Sequence, residues 1–186
     1  MKTLLERRQA FAEFQQTKYT KLKRTGESYV QTKEWAVRNI TRCLNELNKS
    51  IKNDQAARLI RDEIDYYLKR YHDYCIKEQF GSHYREVGAL KKECDFEHVI
   101  PKAVARELMI YNVMTIDEAL NLPTCLLRKE NHRALNKTHA STTPDIWDFW
   151  ARYRNDFAEI KIQTWNGKDV DIKTWNLDSH YKHFGI

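Results

Sequence analysis

At 186 residues, with 41% hydrophobic and 12% aromatic side chains, the chain carries enough apolar surface for one sizeable core or a small core wrapped by helices, but not for two full domains. Wholesale disorder is excluded in spite of 31% charged residues, because that apolar content offsets the entropy of ordering. The net charge of +6 is uneven: residues 1–53 hold twelve Lys and Arg against five Glu, a surface suited to phosphate backbones or simply a solvated basic face.

Leu4, Leu5, Phe11, Ala12, Phe14, Tyr19 and Leu22 recur at near-helical spacing and predict a long first helix, which stops at Thr25-Gly26-Glu27-Ser28. Trp35, Val37, Ile40, Cys43, Leu44, Leu47 and Ile51 predict a second. Asp54 has the character of an N-cap for a third, carrying Leu59, Ile60, Ile64, Tyr67, Leu68, Tyr71 and Ile76 and stopping at Phe80-Gly81-Ser82. Tyr66, Tyr67, Tyr71 and Tyr74 offer stacking rings, yet aromatics at this spacing more often fill a core. Further on, Ala103 to Tyr111 can form a helix, and Thr115-Ile116-Asp117-Glu118 has the pattern of a capping box. Asp145 to Phe157 fits another helix after Pro144, and Asn166-Gly167 between Ile160, Ile162 and Val170, Ile172 predicts a hairpin.

Cys43, Cys75, Cys94 and Cys125 are far apart and form no C-x-x-C pair, and neither a secretory leader nor an apolar run long enough to cross a bilayer is present. A reduced, cytoplasmic setting is expected, without a zinc knuckle built from these thiols. His180 and His183 could bind a metal, but with no acidic or thiol partner at ligand spacing a surface or packing role is expected, and His72 and His83 are assigned structural roles.

The chemistry is concentrated further in. Cys94-Asp95-Phe96-Glu97-His98-Val99-Ile100-Pro101 is followed by Asn121-Leu122 and then by the run from Leu126 to His139, with Arg128, Asn131, His132, Arg133, Asn136 and Lys137. This pattern resembles the signature of the HNH, or His-Me finger, nucleases over about residues 90–140. In that family a strand delivers an acid-His-x-x-Pro motif, an Asn begins a second strand, and a short helix presents the final His or Asn. Glu97 stands where Asp is usual, adding a methylene to the reach, and the paired cysteines that clamp many members with zinc are absent.

The resemblance implies an α+β chain, predominantly helical, with a small ββα-metal core and a C-terminal β-hairpin. The core's strands would lie near Lys92–Phe96 and Pro123–Leu127, followed by a helix from Lys129. The expected segments are 1–87, helical, for targeting, oligomerisation or nucleic-acid contact; 88–143, the nuclease core; and 144–186, a helix and hairpin packed on it.

As to function, the resemblance implies a metal-dependent endonuclease that hydrolyses phosphodiester bonds, in DNA ahead of RNA. His98 would be the general base, because histidine titrates nearest neutrality. Glu97, His132 and Asn136 would hold one divalent ion, magnesium or manganese, with zinc or nickel left open. His132 and Asn136, four apart, share one helical face, whereas His139 lies two turns from His132 and ranks below Asn136 as a ligand. Asn121 would orient the base, with Asn131 and Asn136 as competitors, and Arg133, Lys137 and Arg128 would contact phosphate. An RNA-cleaving toxin or defence effector with the same core, and a non-catalytic nucleic-acid-binding or assembly protein, are the alternatives. The N-terminal helices could form a homodimer or dock a larger protein partner.

Overall fold

A computed structural model describes residues 32–49, 55–76, 81–139, 142–157 and 159–185, all within one compact unit spanning residues 31–186. The expected first helix, the break at residues 25–28 and the Asp54 cap lie outside the described residues, as do the side chains of Tyr74, Cys75 and His139.

In chain order the elements are α1 (Lys33–Leu47), α2 (Gln55–Tyr71, continued by a π turn over His72–Ile76), β1 (Tyr84–Glu86), β2 (Cys94–His98), α3 (Lys102–Ile110), α4 (Ile116–Leu120), β3 (Thr124–Arg128), α5 (Lys129–His139), α6 (Ala151–Asp156), β4 (Ile162–Thr164), β5 (Asp169–Val170) and α7 (Leu177–Phe184). The fold is thus α+β. None of these helices is long and apolar enough to cross a membrane.

Thr32 caps α1 by accepting from Trp35 N at 3.2 Å, and Ala36, Ile40, Cys43 and Leu47 form its buried stripe. That stripe faces α2, whose Ile64 and Leu68 are buried and whose Tyr67 meets the Trp35 ring edge-on at 5.2 Å. Of the four expected core tyrosines, Tyr71 is buried and Tyr66 is exposed. The Thr115–Glu118 capping box forms in full: Thr115 Oγ1 accepts from Glu118 N at 3.2 Å and Glu118 Oε2 accepts from Thr115 N at 2.7 Å.

The five strands make one mixed sheet in the order β2-β3-β1-β4-β5. β2 and β3 pair antiparallel, β1 runs parallel to β3 and antiparallel to β4, and β4 and β5 form the hairpin expected around Asn166-Gly167, with Gly167 at φ 89°. β1 is the element that the sequence reading lacks. Three residues are too few to display an alternation, yet β1 is central and joins the β2–β3 pair to the β4–β5 hairpin in one sheet. The registers align Glu97, Cys125, Tyr84 and Thr164 across four strands, so all four share the buried face.

The helix expected over 145–157 is shorter than predicted. Asp145 Oδ1 accepts from Trp147 N at 2.8 Å, closing a local turn in place of a helical one, and α6 begins only at Ala151. Phe149, Trp150 and Tyr153 nevertheless pack on Tyr84, and one core runs continuously from Ala36 to Leu177 through all three expected segments.

Candidate functional site

On β2, side chains two apart share a face, so Asp95 and Glu97 project together and Phe96 and His98 project to the other side. β3 ends at Arg128 and α5 begins at Lys129 with no intervening loop, which places His132 in the first turn of α5, over the Asp95–Glu97 face. Leu135, fully buried, anchors that helix. His132 is gripped at both ring nitrogens: Nε2 lies 2.9 Å from Glu97 Oε2 and Nδ1 lies 3.3 Å from Asp95 Oδ2. These carboxylates, the Glu97 hydrogen bond foremost, raise the His132 pKa above its ordinary value. Asn136, one turn along, places its amide nitrogen 3.1 Å from the same His132 Nε2.

The other oxygen of Glu97 is engaged as well. Arg152, wholly buried, sets Nη2 3.0 Å from Glu97 Oε1, close enough for strong attraction but outside hydrogen-bond angles, and Nη1 donates to Val99 O at 3.2 Å. Arg152 thereby fixes both the carboxylate and the turn that follows His98.

His98 packs against His72, with ring centroids 5.0 Å apart, and against Phe96 at 5.4 Å. Burial, reinforced by the charges of His72, Lys102 and Lys69, holds its pKa well below the ordinary histidine range, so the ring is neutral near pH 7. Its Nε2 is buried and without a hydrogen-bond partner. His72, pushed down to about 4 by burial, engages Nε2 with Leu120 O at 3.0 Å and leaves Nδ1 without a partner.

Asp95, Glu97, His98, His132 and Asn136 line a cleft of about 600 Å³. One wall is β2 with His132 and Asn136; the other comprises Asp65, Lys69 and Asp73 from α2 and its π turn, together with Pro101, Lys102 and Ala103. The sequence reading gave no role to Asp95 or to the α2 wall. Asp95 was recoverable as the same-face neighbour of Glu97, whereas no local spacing connects Lys69 to a strand some thirty residues later.

Glu97, His132 and Asn136 therefore meet, and His98 lines the same cleft from the other side of β2, but the other candidates are placed differently. Asn121 ends α4, its side-chain amide donating to Asp117 O at 2.8 Å, and no described hydrogen bond joins it to His98. The link between those segments is made by the backbone, Val99 N donating to Pro123 O at 3.1 Å. Arg128 is committed to Glu86, Nη1 lying 2.5 Å from Oε1, and Asn131 donates to the same buried carboxylate at 3.1 Å. Arg133 and Lys137 are exposed on α5, one position past His132 and Asn136, and are not part of the cleft lining. Cys125, fully buried, has its thiol pushed well up and supplies no thiolate at neutral pH.

As a metal site, the donor set is a carboxylate, an imidazole and an amide. Two donors each ~2.1 Å from one ion and at right angles lie about 3 Å apart, which the Glu97–His132 separation of 2.9 Å matches. If His132 Nε2 donates to Glu97, Asn136 turns its carbonyl oxygen, not its NH₂, toward the ring, and a cation binding there would have to displace the Nε2 proton to solvent before the carboxylate, the imidazole and the amide oxygen could all offer lone pairs. Asp95 holds the opposite nitrogen and stands outside that set, in keeping with the finding that no three His, Cys, Asp or Glu side chains among the described residues form a metal-holding group. The residues fit a cation held by Glu97, His132 and the Asn136 amide.

His180 belongs to the core. Trp175 Nε1 donates to Tyr84 Oη at 2.9 Å, Tyr84 Oη bonds His180 Nδ1 at 2.8 Å, and His180 Nε2 donates to Asn121 O at 2.8 Å. No family model matches the chain, and neither a curated protein nor a solved structure matches it, so function rests on these side chains and their geometry.

Proposed function

We propose that the chain is a metal-dependent nuclease of the HNH type, hydrolysing phosphodiester bonds in nucleic acid, with β2, β3 and α5 as a ββα-metal core. The observation that carries this reading is the meeting of Glu97, His132 and Asn136 beside His98 in one cleft, in the order and spacing of the motif. A divalent ion, magnesium or manganese, held by Glu97, His132 and Asn136 would stabilise charge on the phosphate and on the leaving oxygen. His98, neutral near pH 7, takes the proton from the attacking water. A phosphate anion beside it raises its low proton affinity toward neutrality, opposing the effect of Lys69 and Lys102. Asp95 orients the His132 ring from Nδ1, and Arg152 holds the Glu97 carboxylate in place.

The test is cleavage of plasmid DNA, and in parallel of single-stranded RNA, by the full chain with Mg²⁺ or Mn²⁺ and with EDTA. Metal-dependent cutting of either is expected, and His98→Ala should lower it by about 10²- to 10⁴-fold while circular dichroism and nucleic-acid affinity hold. Undiminished cutting by that variant would remove His98 as the base. Failure of the wild-type chain to cut either substrate would leave the non-catalytic binding alternative.

A further inference from the structure

We infer that Lys69 and Lys102 are the phosphate-holding residues of this cleft, clasping a phosphodiester backbone from the wall opposite His132; the identity of the ligand rests on the nuclease reading above. Both lysines line the cleft, one from α2 and one from the first turn of α3, and the charge of each acts on His98. Neither is engaged in an ion pair among the described residues, whereas other cations near the cleft are already committed: Arg106 to Asp65 at 2.5 Å and Arg152 to Glu97 at 3.0 Å. The acidic groups facing them are accounted for in the same way. Asp65 pairs with Arg106 and also feels the charge of Lys102, Asp95 and Glu97 on the facing wall are turned to His132, and Asp73 is the remaining carboxylate of the lining.

Two further features point to an anion there. α3 starts at Pro101, which has no capping side chain; Val104 N and Ala105 N both turn back to Pro101 O, at 2.9 and 3.1 Å. The N–H groups of Lys102 and Ala103 have no acceptor among the described hydrogen bonds, and both residues line the cleft. A helix N-terminus with free N–H groups favours negative charge, and it lies beside two unpaired lysines. Independently, His98 lines the same cleft and its buried Nε2 has no hydrogen-bond partner among the described residues. Arg133 and Lys137, exposed and outside the cleft, are then flanking contacts.

Anisotropy of a short labelled duplex DNA and of a single-stranded RNA of equal length, titrated with the full chain in EDTA, measures this without catalysis. Lys69→Ala and Lys102→Ala should each weaken binding of at least one of the two about fivefold and reduce the salt slope by about one. Lys69→Arg should restore affinity, and Lys182→Ala, on α7, should leave it unchanged. Unaltered affinity and slope in the double variant, or no binding of either nucleic acid by the wild-type chain, overturns the inference. Binding that depends on the two lysines in a chain that never cuts with metal supports the phosphate clasp and sinks the nuclease reading alone.

Discussion

Glu97 occupies two systems at once. Its Oε2 faces His132 in the cleft, and its Oε1 compensates the fully buried guanidinium of Arg152. A substitution there acts on stability as well as on chemistry, and the two effects separate by the choice of replacement. Glu97→Ala leaves a buried charge unpaired and is expected to cost about 3–5 kcal/mol. Glu97→Gln keeps an oxygen for Arg152 while removing the negative charge offered to a cation. The measurement is urea unfolding of both variants alongside metal titration by calorimetry. The glutamine variant should unfold later than the alanine variant yet bind metal much more weakly than wild type. Equal stability of the two variants would mean that Arg152 does not depend on this carboxylate.

At the scale of elements, α4 and its capping box show which parts of the fold are written locally. Thr115 and Glu118 are three apart, and each satisfies the other's free N–H, so the motif depends on nothing outside those residues. Thr115→Ala should cost about 1 kcal/mol. For a chain of this size that lowers Tm by about 2–4 °C, which calorimetry would register. The stripes of α1 and α2 and the hairpin at Asn166-Gly167 are legible for the same reason, each carrying its signal within a few residues, whereas the β2–β3 pair is expected only from the motif resemblance. β1 is not legible, because its three residues acquire their place only by pairing with β3 and β4, some forty and eighty residues away. The site divides along the same line. Glu97 and His132 are marked by the motif resemblance and Asn136 by its helical spacing from His132, whereas Arg152 and the lysine wall reach the cleft by tertiary packing alone. Arg128 shows the converse case: motif position suggested a phosphate contact, but buried Glu86 claims the guanidinium.

Across the whole molecule, buried histidines tie distant segments together and fix how stability responds to pH. His72 joins the end of α2 to Leu120 O, His83 bonds Thr124 beside β3, and His180 links α7 to Tyr84 and Asn121. Burial holds His72 and His180 down to about 4 and pushes His83 and His98 the same way. Below the unfolded value of about 6.5, the unfolded chain takes up protons that the folded one refuses, so stability falls as pH drops from 6.5 toward 4. Each such histidine contributes a limiting slope of about 1.4 kcal/mol per pH unit, so His72 and His180 together give at most about 3 kcal/mol per unit. His132 works in the opposite sense: its pKa is raised by Glu97, and the stability it adds below 6.5 is lost as pH climbs through its folded value. Among the histidines the lowered ones outnumber the raised one, so their joint effect is a loss of stability on the acidic side of neutrality. Urea unfolding in EDTA at pH 5.0, 6.0, 7.0 and 8.5 reads this directly. His180→Gln should flatten the acidic limb, because a side chain that does not titrate there removes one of its sources. A stability that stayed level from pH 7 to 5 would mean that these imidazoles are open to protons in the folded chain, contrary to the packing described for them.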